Sequence, residues 1–258
     1  VYRLRIAIVS GASSGMGREF VKQLPWFYRE LDEIWITARR KGRLISLAKT
    51  SRIPCRIFEG NLLENKVYSE ILDALEKEKP DVRMLVNAAG FGKMGTAAEI
   101  AEREPEAQQE MIDLNCRALT RLTMTCLPFL TQGSRIVNLA SAAAFCPQPY
   151  FAVYAATKSY VLSFSQALGA ELIKNGIYVT AVCPGPVDTE FFDVSGRLPH
   201  KWKDAVMAAP EKVVHQALID SRKKKPVSVY GMAMKAADLG AKLLPHNMII
   251  KIESMGKD

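Results

Sequence analysis

Val9-Ser10-Gly11-Ala12-Ser13-Ser14-Gly15-Met16-Gly17 is the stretch whose reading decides the fold. Just before it, Leu4 to Ser10 reads as a strand, and from Met16 onward the apolar period becomes that of a helix. Glycines between a strand and a helix permit a tight turn and close approach of backbone. The first helical turn then presents free N–H groups, and the helix dipole favours an anion there. The spacing is GxxxGxG rather than GxGxxG, and away from a strand-to-helix junction such a triplet would be an ordinary turn. At this junction, Gly11, Ser13, Ser14, Gly15, Met16 and Gly17 are expected to cradle a dinucleotide phosphate.

Working outward, the alternation continues. Strand-like Ile34–Ala38, a helix near Leu44, a short strand Cys55–Phe58, a helix over Lys66–Glu78 and a strand Met84–Ala88 follow in turn. Helices then occupy the stretch between Ala98 and Leu130, followed by strand Arg135–Leu139, helix Ala152–Lys174 and strand Ile177–Val182. Apolar strands separated by helices imply parallel strands covered on both faces. The expected fold is therefore α/β, a single-domain Rossmann-type doubly wound parallel sheet with helices on both faces, spanning 1–258, with ligands at the carboxyl ends of its strands. After Pro184 the alternation falters. Phe191, Phe192, Gly196, Pro199, His200 and Trp202 fall in a segment too irregular for the sheet and too apolar for a linker, and a substrate lid is expected around 190–210. A helix from Glu211, a strand Pro226–Tyr230 and a variable apolar, basic tail around 231–258 complete the reading. The tail is expected to pack on a second copy or cover the core, with contact to a membrane surface through Met232–Ile252 as the alternative.

Composition narrows the function classes. A chain of 258 residues, 48% of them apolar and 24% charged, can bury a real core as one domain. No apolar stretch approaches the length of a membrane span, and Val1–Val9 carries Arg3 and Arg5 and lacks the apolar core of a signal peptide. A cytoplasmic protein without a transmembrane segment is expected. The five cysteines are scattered without CxxC, and the three histidines show no metal-ligand spacing, so neither a disulfide framework nor a metal site is expected. The net charge of +8 and the basic run Arg222–Lys225 come without interleaved aromatic residues, which argues against nucleic acid as a partner. Attraction of an anionic cofactor needs only a few of these charges.

The end of the second strand selects among such cofactors. A NAD-binding unit places an acidic residue about twenty positions beyond the glycines, where it accepts from the ribose hydroxyls. Here the chain reads Thr37-Ala38-Arg39-Arg40, with no carboxylate. Two guanidinium groups suit the additional charge of a 2′-phosphate, so NADP(H) is preferred over NAD. The ordinary alternative is that Arg39 and Arg40 merely solvate a loop.

Tyr154 and Lys158 stand four apart, so both project from one face of a helix. A Tyr-x-x-x-Lys match arises by chance often enough that the pair alone proves nothing. Its place is the better evidence, because Ser141 follows the fifth strand upstream and the ligand crevice of such a sheet lies there. Taken with the glycine turn, Asn87-Ala88-Ala89-Gly90 after the fourth strand, Asn115, and Pro184-Gly185-Pro186-Val187-Asp188-Thr189 after the sixth, these residues resemble the short-chain dehydrogenase/reductase family, in its ordinary-length group with TGxxxGxG, NNAG and YxxxK motifs. The resemblance runs from Leu4 to about Thr189. Ser10 replaces the usual Thr, Ala88 the second Asn, and Asn61 a common Asp, whose carbonyl oxygen can still accept a hydrogen bond.

The resemblance implies an oxidoreductase that moves a hydride between nicotinamide and a carbonyl or secondary alcohol. In it Tyr154 is the general acid or base, Lys158 lowers its pKa and binds ribose, Ser141 orients the substrate oxygen and Asn115 supports a proton relay. It also implies that Asn61 and Leu62 flank the adenine, that Asn87, Ala88, Ala89 and Gly90 line the cofactor, and that Pro184, Gly185, Val187 and Thr189 close on the nicotinamide. Phe191, Phe192 and Trp202 are expected over the substrate, with Phe91, Phe145, Pro149 and Tyr150 on the other wall. Together they suggest a hydrophobic ketone or aldehyde, unless each ring is plain core packing. A homodimer or homotetramer is expected by the same resemblance. The alternatives are a NAD-linked alcohol or hydroxysteroid dehydrogenase and, against the full set of four residues, a non-catalytic cofactor-sensing regulator. Arg39→Ala is predicted to weaken NADPH far more than NADH in fluorescence titrations; equal losses would remove the NADP assignment.

Overall fold

Within the strands, successive side chains face opposite ways, and the sequence supplies apolar residues for both sides. Ala7 and Val9 of the first strand and Ile34 and Ile36 of the second enter one buried cluster, with Phe20, Val21, Leu24 and Leu218. Their neighbours Ile6, Ile8 and Trp35 enter the other, with Val67, Ile71, Leu75 and Leu122. A sheet apolar on both faces must be covered on both, and helices do so here. The structure, a computed structural model, describes residues 3–196 and 207–255.

In chain order the elements are β1 (Arg5–Ser10), α1 (Gly15–Phe27), β2 (Glu33–Ala38), α2 (Lys41–Thr50), β3 (Cys55–Glu59), α3 (Asn65–Glu78) and β4 (Asp81–Asn87). Then come α4 (Ala97–Arg103), α5 (Ala107–Ile112), a π-helical turn (Asp113–Ala118), α6 (Leu119–Cys126), β5 (Leu130–Leu139), α7 (Ala152–Leu172) and β6 (Tyr178–Val182). The last described elements are α8 (Phe191–Ser195), α9 (Pro210–Arg222), β7 (Val227–Ser228), α10 (Met232–Leu243) and α11 (His246–Met255). Among the described residues seven strands lie parallel in the order β3-β2-β1-β4-β5-β6-β7. Winding reverses between β1 and β4, which opens a crevice at their carboxyl ends. The expected doubly wound sheet is thus the observed one.

Several boundaries differ from the sequence reading, β4 among them, which starts at Asp81 rather than Met84. β5 starts at Leu130 rather than Arg135, reached through a bulge at Gly133, whose φ of 90° suits glycine. β7 is only Val227–Ser228 instead of Pro226–Tyr230, because its partner β6 ends at Val182, which pairs with Ser228; Gly231, at φ 84°, then leads the chain into α10. The expected irregular segment contains the short helix α8. Its flanks are drawn together where Asp188 N–H donates to Ala208 O at 3.0 Å and Ala208 N–H to Pro186 O at 2.9 Å. Trp202, Pro199 and His200 lie outside the described residues.

A buried polar chain fixes the middle of the sheet against its helices. Asn87 Nδ2 donates to Thr123 Oγ1 at 2.9 Å and to Asn138 Oδ1 at 2.8 Å, and Asn138 Nδ2 donates to Ser165 Oγ at 2.9 Å. It therefore joins α6, β4, β5 and α7, the last of which carries Tyr154 and Lys158. Buried groups whose partners are removed lose far more than a surface pair does. Asn138→Ala is predicted to destabilise the fold by about 2–4 kcal/mol in denaturant titrations, and a loss below about 0.5 kcal/mol would show that the chain contributes little.

Candidate active site

The turn after β1 packs tightly against the turn after β4. Gly11 has φ 67°, and a Cβ there would sit 2.7 Å from Ala89 N, so this position needs glycine on both counts. Gly17 is needed for a similar reason, since a Cβ would strike the carbonyl oxygen of Gly11. The Ser10 hydroxyl binds the two turns together, accepting from Ala88 N–H at 3.2 Å and Ala89 N–H at 3.3 Å. Ser14 caps α1 in extended conformation without offering its hydroxyl to the helix, and the first turn holds no acidic residue. Instead, Arg40 donates to Ser14 Oγ at 2.6 Å and to Ser13 Oγ at 3.1 and 3.2 Å. A helix start left open by its own cap, faced by exposed arginines and hydroxyls, is chemically matched to phosphates.

Along the crevice lie Gly11, Ser13, Ser14, Gly15, Met16, Gly17, Arg39, Arg40, Asn61 and Leu62, then Ala88, Ala89 and Gly90, and at the far end Ser141, Tyr154, Lys158, Pro184, Gly185, Val187 and Thr189. Two expected residues are absent from its lining. Asn87 is turned into the sheet by the polar chain described above. Asn115, in the π-helical turn, accepts from Phe91 N–H at 3.0 Å and donates to Phe91 O at 2.9 Å and Thr157 Oγ1 at 3.0 Å. Both its amide hydrogens are committed, so its side chain is a clamp on the Gly90–Phe91 backbone. Asn61 lines the crevice, but its Oδ1 already accepts from Leu63 N–H at 3.1 Å.

At the chemical end, Ser141 follows β5 in extended conformation, its Oγ accepts from Ala143 N–H at 3.1 Å, and it acts on the Tyr154 phenol to lower its pKa. Tyr154 and Lys158, one turn apart on α7, are both buried. Lys158 Nζ donates to Leu139 O at 2.8 Å and lies 5.5 Å from the Tyr154 ring centre. Burial dominates both groups. It pushes Tyr154 up to about 12, against the hydrogen bond from Ser141, and Lys158 down to about 8. Burial is the largest influence on the phenol and outweighs the downward pull of Ser141.

The walls around Tyr154 are apolar. Phe151 stacks on its ring at 4.2 Å, Phe191 tilts against it at 5.5 Å, and Gly92 lies where the three rings converge, each about 2.9 Å from a built Cβ. Phe145 and Phe91 line this end as expected, whereas Pro149 and Tyr150 do not. Sequence reading missed Met94, Phe151 and Met234, which also line it, and Glu190. Phe151 was legible in principle, standing one turn before Tyr154. Met234 comes from α10, so part of the tail covers the crevice. Among the described residues there is no cluster able to hold a metal ion and no helix long and apolar enough to cross a membrane, and the cysteines are free.

This arrangement has relatives. The chain belongs to the short-chain dehydrogenase family, whose model matches residues 5–197, and it is an oxidoreductase of that family. Sulfoacetaldehyde reductase 2 of Chromohalobacter salexigens is 33% identical over 194 residues, 72% of this chain and 74% of that protein. A solved short-chain dehydrogenase from Sphingobium yanoikuyae in complex with NADPH is similar with a TM-score of 0.76 at 28% identity, covering 93% of this chain and 94% of that one. The bulky-bulky ketone specific alcohol dehydrogenase from Comamonas testosteroni gives a TM-score of 0.73 at 26% identity, covering 94% and 93%.

The burial of Lys158 makes a stability prediction. Below pH 8 the lysine is charged in both folded and unfolded states, and the folded state bears the full burial penalty. Between its folded value of about 8 and its ordinary 10.5 the unfolded chain binds the extra proton, so stability rises with pH across that window. Lys158→Met is predicted to be more stable than the natural chain at pH 7, on the order of 2 kcal/mol, with the gain shrinking toward pH 10. Parallel denaturant titrations check this, and a gain independent of pH would contradict the buried-charge account.

Proposed function

We propose that the protein is an NADP(H)-dependent reductase of a hydrophobic ketone or aldehyde, able to run in reverse on a secondary alcohol. The observation that carries the reading is the convergence of Ser141, Tyr154 and Lys158 beneath apolar walls at one end of a crevice whose other end is arginine, serine and a helix start. The name of the Sphingobium relative, in complex with NADPH, supports the cofactor, and that of the Comamonas relative supports a bulky ketone.

Ser13, Ser14, Arg39 and Arg40 would hold the 2′-phosphate, the first turn of α1 the diphosphate, and Lys158 the nicotinamide ribose through donors not spent on Leu139. When bound, this cofactor supplies the hydride. The remaining work belongs to the chain. Ser141 hydrogen-bonds the substrate oxygen as negative charge grows there. The Tyr154 hydroxyl hands its proton to that oxygen. A phenol held up near 12 keeps its proton at neutral pH, and a developing alkoxide is the stronger base, so the transfer runs downhill in the direction of reduction. Asn115 acts by fixing the backbone beside this centre, with any part in a proton relay secondary to that hold. Phe151, Phe191 and Met234 exclude water and favour an apolar substrate.

The test is a panel of aliphatic, aromatic, steroidal and acyl-type carbonyls, each followed by NADPH absorbance with the natural chain and Tyr154→Phe. Expected are turnover of at least one bulky apolar member, loss of at least about a hundredfold in kcat in the variant, and unchanged NADPH binding. Retained turnover in the variant would refute the acid role; a preference for NADH would refute the cofactor.

A further inference from the structure

No carboxylate ends β2, yet one from another part of the chain stands close to the phosphate end of the crevice. Glu190 stands just before α8, next to Phe191 on the wall over Tyr154, yet its side chain reaches to the phosphate end. Oε2 accepts from Gly15 N–H at 3.1 Å, and Oε1 lies 3.3 Å from Arg18 Nη1 and 3.6 Å from Arg43 Nη1. Partial burial works against its charge, but the N–H groups of Glu190 itself and Gly15, with Arg18 and Arg43, hold the carboxyl below its ordinary range. Its field also acts on Arg40, together with those of Arg43, Arg39 and Arg18. Glu190 is thus an anion paired with Arg18 and Arg43, and its field reaches Arg40, the guanidinium that donates to Ser13 and Ser14.

We infer that Glu190 is a specificity-determining residue that tempers how strongly the enzyme discriminates for a 2′-phosphate. The inference rests on the NADP(H) reading above. A 2′-phosphate held by Arg40 enters a field that Glu190 has partly neutralised, and repulsion between two anions within one small arginine cluster weakens the complex. The 5′-phosphate, common to both kinds of nucleotide, meets the same carboxylate at the Gly15 N–H, so that repulsion is shared by both ligands, and the part specific to the 2′-phosphate is what 2′,5′-ADP shows beyond 5′-AMP. Removal of the charge should therefore act unevenly on ligands that differ by the 2′-phosphate alone.

Calorimetric titration of the natural chain and Glu190→Gln with 2′,5′-ADP and with 5′-AMP measures this without any turnover, with thermal unfolding to show that the near-isosteric variant is folded. Expected is tightening of both ligands in the variant, with 2′,5′-ADP gaining roughly 3- to 10-fold more than 5′-AMP, the difference shrinking as salt is raised. Unchanged or weaker 2′,5′-ADP binding, or equal tightening of both ligands, overturns the role of Glu190 while leaving the cofactor reading in place, provided the natural chain still prefers 2′,5′-ADP. If the natural chain binds the two alike, the cofactor reading fails and the inference with it.

Discussion

Everything at the site depends on how closely β1 and β4 can bring their carboxyl ends together. Reversal of winding between these strands creates the crevice, but a reversal alone leaves two loops of arbitrary shape. Here the Ser10 hydroxyl takes two N–H groups from the β4 turn, and Gly11 lets backbone touch backbone where any side chain would collide with Ala89. That contact sets where α1 begins, hence where the N–H groups of its first turn point. It also fixes Ala88–Gly90, against which Asn115 and Lys158 are placed: a Cβ on Gly90 would lie 2.8 Å from Asn115 Oδ1 and 3.4 Å from Lys158 Nζ. One hydroxyl and a few absent methyl groups therefore connect the phosphate end of the crevice to its chemical end.

At the chemical end the dominant force is desolvation rather than mutual attraction. Tyr154 and Lys158 are both buried, and burial disfavours the charged form of each, so the phenol is held up and the ammonium down. Without a carboxylate beside it, Lys158 relies on the Leu139 carbonyl. This is a strained arrangement from the standpoint of stability, and it is the usual signature of a functional site. The buried polar chain from Thr123 through Asn87 and Asn138 to Ser165 braces the helix that carries both groups.

The fold was legible because it is written in local signals: an apolar period that switches at Gly15, strands apolar on both faces, and turns marked by glycine. The site was legible where a side chain's direction follows from its own element, as with Ser141 after β5 and the paired Tyr154 and Lys158 on α7. It failed where direction depends on partners distant in sequence. Asn87 ends a strand at the crevice, yet its amide turns away because Thr123 and Asn138 offer better hydrogen bonds inside the sheet. Asn115 is spent on the Phe91 backbone. β7 is short because its partner β6 ends at Val182, and the contribution of Met234 to the crevice follows from how α10 packs, which no periodicity encodes.

Glu190 is the extreme case of that limit. Its nearest partner, Gly15, is 175 positions away along the chain, and nothing adjacent to it in sequence marks it as part of a cationic cluster. Yet a formal count of charges at the end of β2 leaves it out and overstates the positive field there. The absent acid at Ala38 and the acid at Glu190 are different in kind. A carboxylate on the strand end would occupy the position of the ribose and exclude a 2′-phosphate, whereas one reaching in from the α8 side leaves the arginines in place and subtracts from their field. The sign of the site is set by the strand end, and its strength is adjusted from the wall that also faces the substrate.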